Sequence, residues 1–180
     1  MKKSATVHLK LLVSLSLMSA LSIVLGKYLA FNVGSVLRFS FENLPIIFTG
    51  LAFGPLAGGA VGLVADIVGC LLVGYEINPI VTLGAVIIGL SAGLCRIPFS
   101  NSKNEVSLVF LVLAAEVISH LLGSVIVKTI GLSAYYDMPF FALMAWRLLN
   151  YAIIGAVEGA MVYALLKNPA LKKHISSMNR

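Results

Sequence analysis

Residues 43–73 read NLPIIFTGLAFGPLAGGAVGLVADIVGCLLV, and their only charge is Asp66. As one helix this stretch would run about 46 Å at 1.5 Å per residue, too long for a single crossing of a hydrocarbon core of about 30 Å. The segment FGPLAGG at 53–59 supplies the turn that divides it. Two consecutive membrane helices joined by a tight break are therefore expected here, and the rest of the chain obeys the same grammar.

Leu11 to Gly26, Asn43 to Ala65 and Ile77 to Cys95 are uncharged runs of nearly membrane-spanning length. With 59% hydrophobic and 11% charged residues and a mean hydropathy of +1.01, the chain cannot cover itself with a polar surface in water. An integral membrane protein is expected, with residues 1–180 as a single transmembrane domain. No alternating ten-residue strands occur, so the backbone must satisfy its hydrogen bonds within helices rather than in a closed barrel. The basic, then apolar start MKKSATVHLKLLVSLSLMSALSIVLG also resembles a secretory signal, but the remainder of the chain is itself membrane-spanning in character, and an uncleaved first span accounts for it better.

The prolines punctuate the chain. Pro45, Pro55, Pro79 and Pro139 precede or open apolar runs, where a missing N–H costs little, and Pro98 and Pro169 come after runs that have ended. The expected helices span 8–30, 39–53, 55–73, 79–97, 105–130 and 139–167, an all-α, polytopic six-transmembrane-helix bundle. An even number of crossings leaves both termini on one side. Calling that side cytoplasmic puts Lys2, Lys3, Lys10, Arg96, Lys103, Lys167, Lys172, Lys173 and Arg180 inside, against Lys27, Arg38 and Lys128 outside. This satisfies the positive-inside rule and explains the net charge of +6 by the cell membrane, without nucleic acid.

Small residues recur at four-residue spacing in Gly50/Gly54, Gly54/Gly58, Gly58/Gly62, Gly89/Gly93 and Gly155/Gly159. Close packing inside the bundle is the simplest use for them. Ser16 and Ala20, beside Ser19 and Ser22, make a similar stripe on the first helix, where another protein could meet it.

Several chemistries are not visible. The chain has no Walker A pattern, GxSxG or HExxH, its three histidines are scattered, and Cys70 and Cys95 sit apart in apolar runs. No catalytic residue, metal ligand set or cofactor is expected, and the chain is not read as an enzyme. The ionisable residues inside predicted spans are Asp66, Glu116, His120, Arg147 and Glu158, which should face the bundle interior or a wet cavity. Arg147, Asn150, Ile154 and Glu158 share one helix face. Arg147 suits either donation to a ligand or an ion pair with a neighbouring acid. Asp66, Glu116 and Glu158 fall at similar depth, which points to mutual hydrogen bonding or a protonated member.

At the opposite end from the termini, Lys27, Tyr28, Asn32, Arg38, Tyr75, Glu76 and Asn78 gather in connecting segments, with AYYDMP at 134–139. Aromatic faces, amides and cations together suit a flat, polar, anionic small molecule. An interfacial aromatic belt with snorkelling cations would draw on the same residue types. Arg38 and Glu42, four apart, read as a pair in which Glu42 orients Arg38 at the mouth of a pocket.

RFSFENLPIIFTGLAFGPLAGGAVGLVADIVG at 38–69, GYEINPIVTLGAVIIGLSAG at 74–93 and WRLLNYAIIGAVEG at 146–159 resemble the substrate-binding S components of energy-coupling-factor (ECF) vitamin transporters, most closely the folate group. SFENLP and YEINP carry the lean toward folate. The resemblance implies a membrane subunit that captures a vitamin from outside. That subunit then docks on an energising module of a coupling membrane protein and two ATPases. Within that likeness, Ser16 and Ala20 match the place of an Ala-xxx-Ala docking motif, with Ser at the first position. Lys27 or Arg38 would meet the glutamate tail of a folate, Asn78, Arg147 and Asn150 would help to read the pterin, and Tyr75 is a further substrate-binding residue. Riboflavin or another water-soluble vitamin is the alternative ligand. A polytopic membrane protein with a structural or enzymatic role is the alternative class.

Overall fold

A computed structural model describes residues 2–33, 37–96 and 105–178, with side chains from 7–31, 39–96 and 105–178. In it Gly54 separates α2 (Asn43–Phe53) from α3 (Pro55–Val73) at φ +99°, a setting that only glycine adopts without strain. The break expected within FGPLAGG is therefore present. Pro55 opens α3 at a position whose N–H would have no intrahelical partner anyway, and Pro79 does the same for α4 (Pro79–Cys95).

The first helix, α1 (Lys2–Ile23), runs into a π-helical turn, Val24–Tyr28. A short antiparallel hairpin comes next, β1 (Phe31–Val33) with β2 (Leu37–Phe39), in the register Phe31↔Phe39, Asn32↔Arg38 and Val33↔Leu37. It displaces the start of α2 from the expected residue 39 to Asn43. Beyond residue 104, α5 (Glu105–Ser119), a π-helical segment (His120–Val127) and α6 (Lys128–Tyr136) succeed one another without a break. That helix passes its expected end at residue 130 and stops where Asp137 takes a left-handed conformation, φ 50°. α7 (Phe140–Lys167) matches the expected last span, and α8 (Pro169–Met178) is a short helix beyond those expected.

Val7–Tyr28, Pro55–Val73, Glu105–Tyr136 and Phe140–Lys167 are long and apolar enough to cross a membrane, whereas α2 and α4 are shorter apolar helices. At 1.5 Å per residue α2 covers about 16 Å, roughly half of a hydrocarbon core. It compensates by lying inside: every residue from Asn43 to Ala52 is buried. Ile47 on α2, Val61 on α3, Ile88 on α4 and Val162 on α7 meet in one core cluster.

Apolar surface gains nothing by leaving lipid for protein, so the bundle depends on close backbone contact. Glycines provide it. A Cβ built on Gly58 would stand 2.5 Å from the Gly89 carbonyl oxygen, and one on Gly50 would stand 2.6 Å from the same atom. The four-residue glycine spacing therefore serves the α2–α3–α4 contact. Ser19 and Ser22 face inward and are buried, while Ser16 and Ala20 face outward and are exposed, so the two parts of the α1 stripe have different surroundings.

Candidate functional site

A cavity of about 240 Å³ lies at the end of the bundle away from the chain termini. The end of α1 contributes Lys27, and α3 contributes Asp66 and Cys70. The connection between α3 and α4 adds Tyr75, Glu76 and Asn78, α6 adds Lys128 and Tyr136, and α7 adds Trp146, Arg147, Asn150 and Tyr151. Three cations and three acids (with Glu42) thus share its wall with four aromatic rings. Such a wall offers charge for an anion and flat faces for a ring system.

Most of these charges are held in place. Lys128 Nζ donates to Glu42 Oε1 at 3.0 Å, and Lys128 is 5% exposed. Asp66 accepts from the Thr82 hydroxyl at 2.6 Å. Lys27 Nζ sits 5.7 Å from the centre of the Tyr75 ring and 3.9 Å from Cys70 Sγ. Arg147 Nε donates to the Ser124 carbonyl at 2.9 Å, and its guanidinium lies 5.4 Å from the Tyr151 ring centre. Ser124 belongs to the π-helical segment, whose wide turn is where inserted side chains commonly meet the helix backbone.

The sequence model of the family described as "ECF transporter, substrate-specific component" matches residues 10–167. The chain belongs to this family. Over 163 residues this ECF component is 27% identical to the folate transporter FolT of Clostridium novyi (strain NT), with 87% of each chain covered. Among solved structures it is similar to FolT bound with folic acid, at 24% identity and TM-score 0.67, over 88% of this chain and 93% of that one. It is also similar to the S component for biotin from an ECF-type transporter, at 16% identity and TM-score 0.67, over 93% and 96%. At these identities the structural likenesses establish a shared fold. The chain is a transporter component of the membrane rather than an enzyme.

Of the site residues expected for this ECF component, Lys27, Tyr75, Asn78, Arg147 and Asn150 come together around the one cavity. Arg38 is placed on β2 opposite Asn32, and its side chain lies outside the described residues. Asn78 also has a structural task. Its side-chain oxygen accepts from the backbone N–H groups of Ile80 and Val81 to cap α4, and its amide donates to the Gly131 carbonyl. Among the described residues Arg147 meets a carbonyl and an aromatic ring, so the ion pair with a neighbouring acid gives way to these partners.

Lys128, expected at the end of the bundle away from the termini, is a buried member of the cavity wall there, against Glu42, because the helix continues two turns beyond it to Tyr136. The chain offers a sign of this: no proline interrupts 105–138, and Gly131 to Tyr136 continue the helix. One expectation at the site is corrected: Asp66 does not join Glu116 and Glu158. It bonds Thr82 on α4, while Glu116 and Glu158 meet through His120. Equal depth along neighbouring spans does not specify which spans face each other.

That second cluster lies deeper in the bundle. His120 Nε2 is 3.1 Å from Glu116 Oε2 and 2.9 Å from Glu158 Oε2. Glu158 Oε1 accepts the backbone N–H of Leu44 at 3.0 Å, so a carboxylate on α7 caps the first turn of α2. The Tyr151 ring stacks on His120 with centres 4.8 Å apart and links the cluster to the cavity.

Proposed function

We propose that this ECF component is the high-affinity folate-binding subunit of a vitamin uptake system. The carrying observation is one cavity that combines Lys27, Lys128 and Arg147 with Tyr75, Trp146 and Tyr151 and the Asn150 amide. Folate has a flat pterin, an aromatic linker and a glutamate tail with two carboxylates. Aromatic faces fit the first two, and cations fit the third. The relative in Clostridium novyi is named a folate transporter, and the similar solved structure holds folic acid, which supports the same ligand class.

On this reading the cavity opens to the outside, and both termini lie in the cytoplasm with the lysine-rich segment at 167–173. Ser16 and Ala20 form the surface that meets the coupling membrane protein of the energising module, which holds two ATPase subunits. Both are exposed on α1, as such a surface requires.

Equilibrium binding of tritiated folate to the detergent-purified protein tests the assignment. Saturable binding in the micromolar range or tighter is expected, and its absence overturns the folate reading. Mass analysis of any co-purifying ligand separates folate from riboflavin or another vitamin.

A further inference from the structure

We propose that Glu116, His120 and Glu158 form a binding site for one divalent first-row transition-metal ion at the contact between α5, its π-helical continuation and α7. The three side chains present one ligand atom each, and these atoms lie within 4.8 Å of one another. All three residues are buried, at 3%, 4% and 0% exposure for Glu116, His120 and Glu158. None of them lines the cavity assigned to the vitamin.

The geometry at His120 Nε2 carries the argument. That nitrogen can hold one proton, yet two carboxylate oxygens stand within 3.1 Å of it. A single N–H cannot point at both with good angles. A cation between the three atoms would take the imidazole lone pair and one oxygen from each carboxylate. Two carboxylates and a divalent ion also cancel in charge, which matters where unbalanced charge is expensive. A second observation concerns Glu116 Oε1, which is buried and has no hydrogen-bond partner among the described residues. Chelation through both oxygens of Glu116 would satisfy it.

The surroundings fit a built site. The other ring nitrogen, His120 Nδ1, faces the Ser124 hydroxyl at 3.5 Å, the kind of outer partner that fixes the tautomer of a metal-binding histidine. The Leu44 N–H holds the second oxygen of Glu158. Gly159 and Gly155 leave room on α7: a Cβ there would meet Glu116 Cγ at 3.3 Å and His120 Cδ2 at 3.4 Å. An apolar groove of about 340 Å³ between the two helices reaches Glu116 and His120. One imidazole with two carboxylates and no thiolate suits Zn²⁺ or Mn²⁺ better than Cu⁺ or an iron–sulfur cluster. Bound there, the ion would tie α5 to α7 and, through Glu158, hold the start of α2.

The test uses full-length protein purified without a histidine tag, stripped with a chelator and titrated with Zn²⁺. Metal content by mass spectrometry, thermal unfolding and, after Co²⁺ substitution, visible absorption are the readouts. Uptake of a single equivalent, a raised Tm and a ligand-field band are expected in the wild type. Glu116→Gln should lower Zn²⁺ affinity at least tenfold, since loss of even an outer partner of a metal ligand costs about 10–100-fold and Glu116 is itself a ligand. A variant with His8→Gln and His174→Gln should keep the equivalent, since those histidines lie elsewhere on the chain. A stripped wild type that takes up no metal overturns the site and leaves the triad a proton-sharing cluster. Loss of the equivalent in the His8/His174 variant, or unchanged affinity in Glu116→Gln, overturns it as well.

Discussion

Lys128 Nζ and Glu42 Oε1 stand 3.0 Å apart in the cavity wall and join the start of α6 to the residue just before α2. Truncating one member of a buried pair costs more than the pair contributes, because the remaining charge stays out of water. Glu42→Gln should therefore lower stability by roughly 2 kcal/mol, less than for a wholly buried pair because the Glu42 side chain is 25% exposed. Glu42→Gln combined with Lys128→Met should be more stable than Glu42→Gln alone, as thermal unfolding in detergent would reveal. Strictly additive losses in the double variant would show that the two charges are not coupled.

The glycines at the α2–α3–α4 contact separate sharply from those on α7. A methyl group on Gly58 would press on backbone, the Gly89 carbonyl at 2.5 Å, and backbone cannot swing aside. Gly58→Ala should cost about 1–3 kcal/mol, the range for overpacking a tight interior. Gly155→Ala meets only the His120 ring edge at 3.4 Å and should change stability by less than about 0.5 kcal/mol. Comparable unfolding temperatures for the two variants would contradict this division.

Much of this arrangement is legible in the chain itself. Proline placement and run length give α3, α4 and α7 to within two residues, because both signals are local. Arg147 and Asn150 could be placed on one face from helical spacing alone, and both line the cavity. What escapes is pairing across helices. Glu116 and His120 are visibly one turn apart, and similar depth associates Glu158 with Glu116, but nothing along the chain sets His120 between the two acids or Lys128 against Glu42. The hairpin at 31–39 is also hard to foresee, since three-residue strands hardly develop an alternating pattern.

Exposure on α1 gives the docking proposal a built-in control. Ser16 and Ala20 point away from the bundle, whereas Ser19 is 5% exposed and Ser22 donates to the Glu42 carbonyl at 2.6 Å. Replacing Ser16 and Ala20 with Trp should leave folate binding within twofold of wild type (about 0.4 kcal/mol) and abolish uptake in cells that supply the energising module. Ser22→Leu should instead damage both, because it removes a buried donor and crowds the start of α2. Uptake that survives in the Ser16/Ala20 variant would remove that face from the docking surface.

Arg147 is the sharpest test of the cavity. Its Nε is committed to the Ser124 carbonyl at 2.9 Å, and Tyr151 lies under the guanidinium, so the remaining N–H groups are held in a fixed fork at the cavity edge. Arg147→Ala would confuse two effects, since it strips the Ser124 carbonyl of a donor as well as the cavity of a charge. Arg147→Lys keeps the charge and loses the fork. If the fork reads a folate carboxylate or ring edge, Arg147→Lys should weaken binding at least tenfold, about 1.4 kcal/mol, while charge alone would hold affinity nearly constant. Titration calorimetry of both variants, with unfolding temperature measured beside it, separates the cases. Unchanged affinity in Arg147→Lys with a lower Tm in Arg147→Ala would assign the residue to fastening α7 against the π-helical turn.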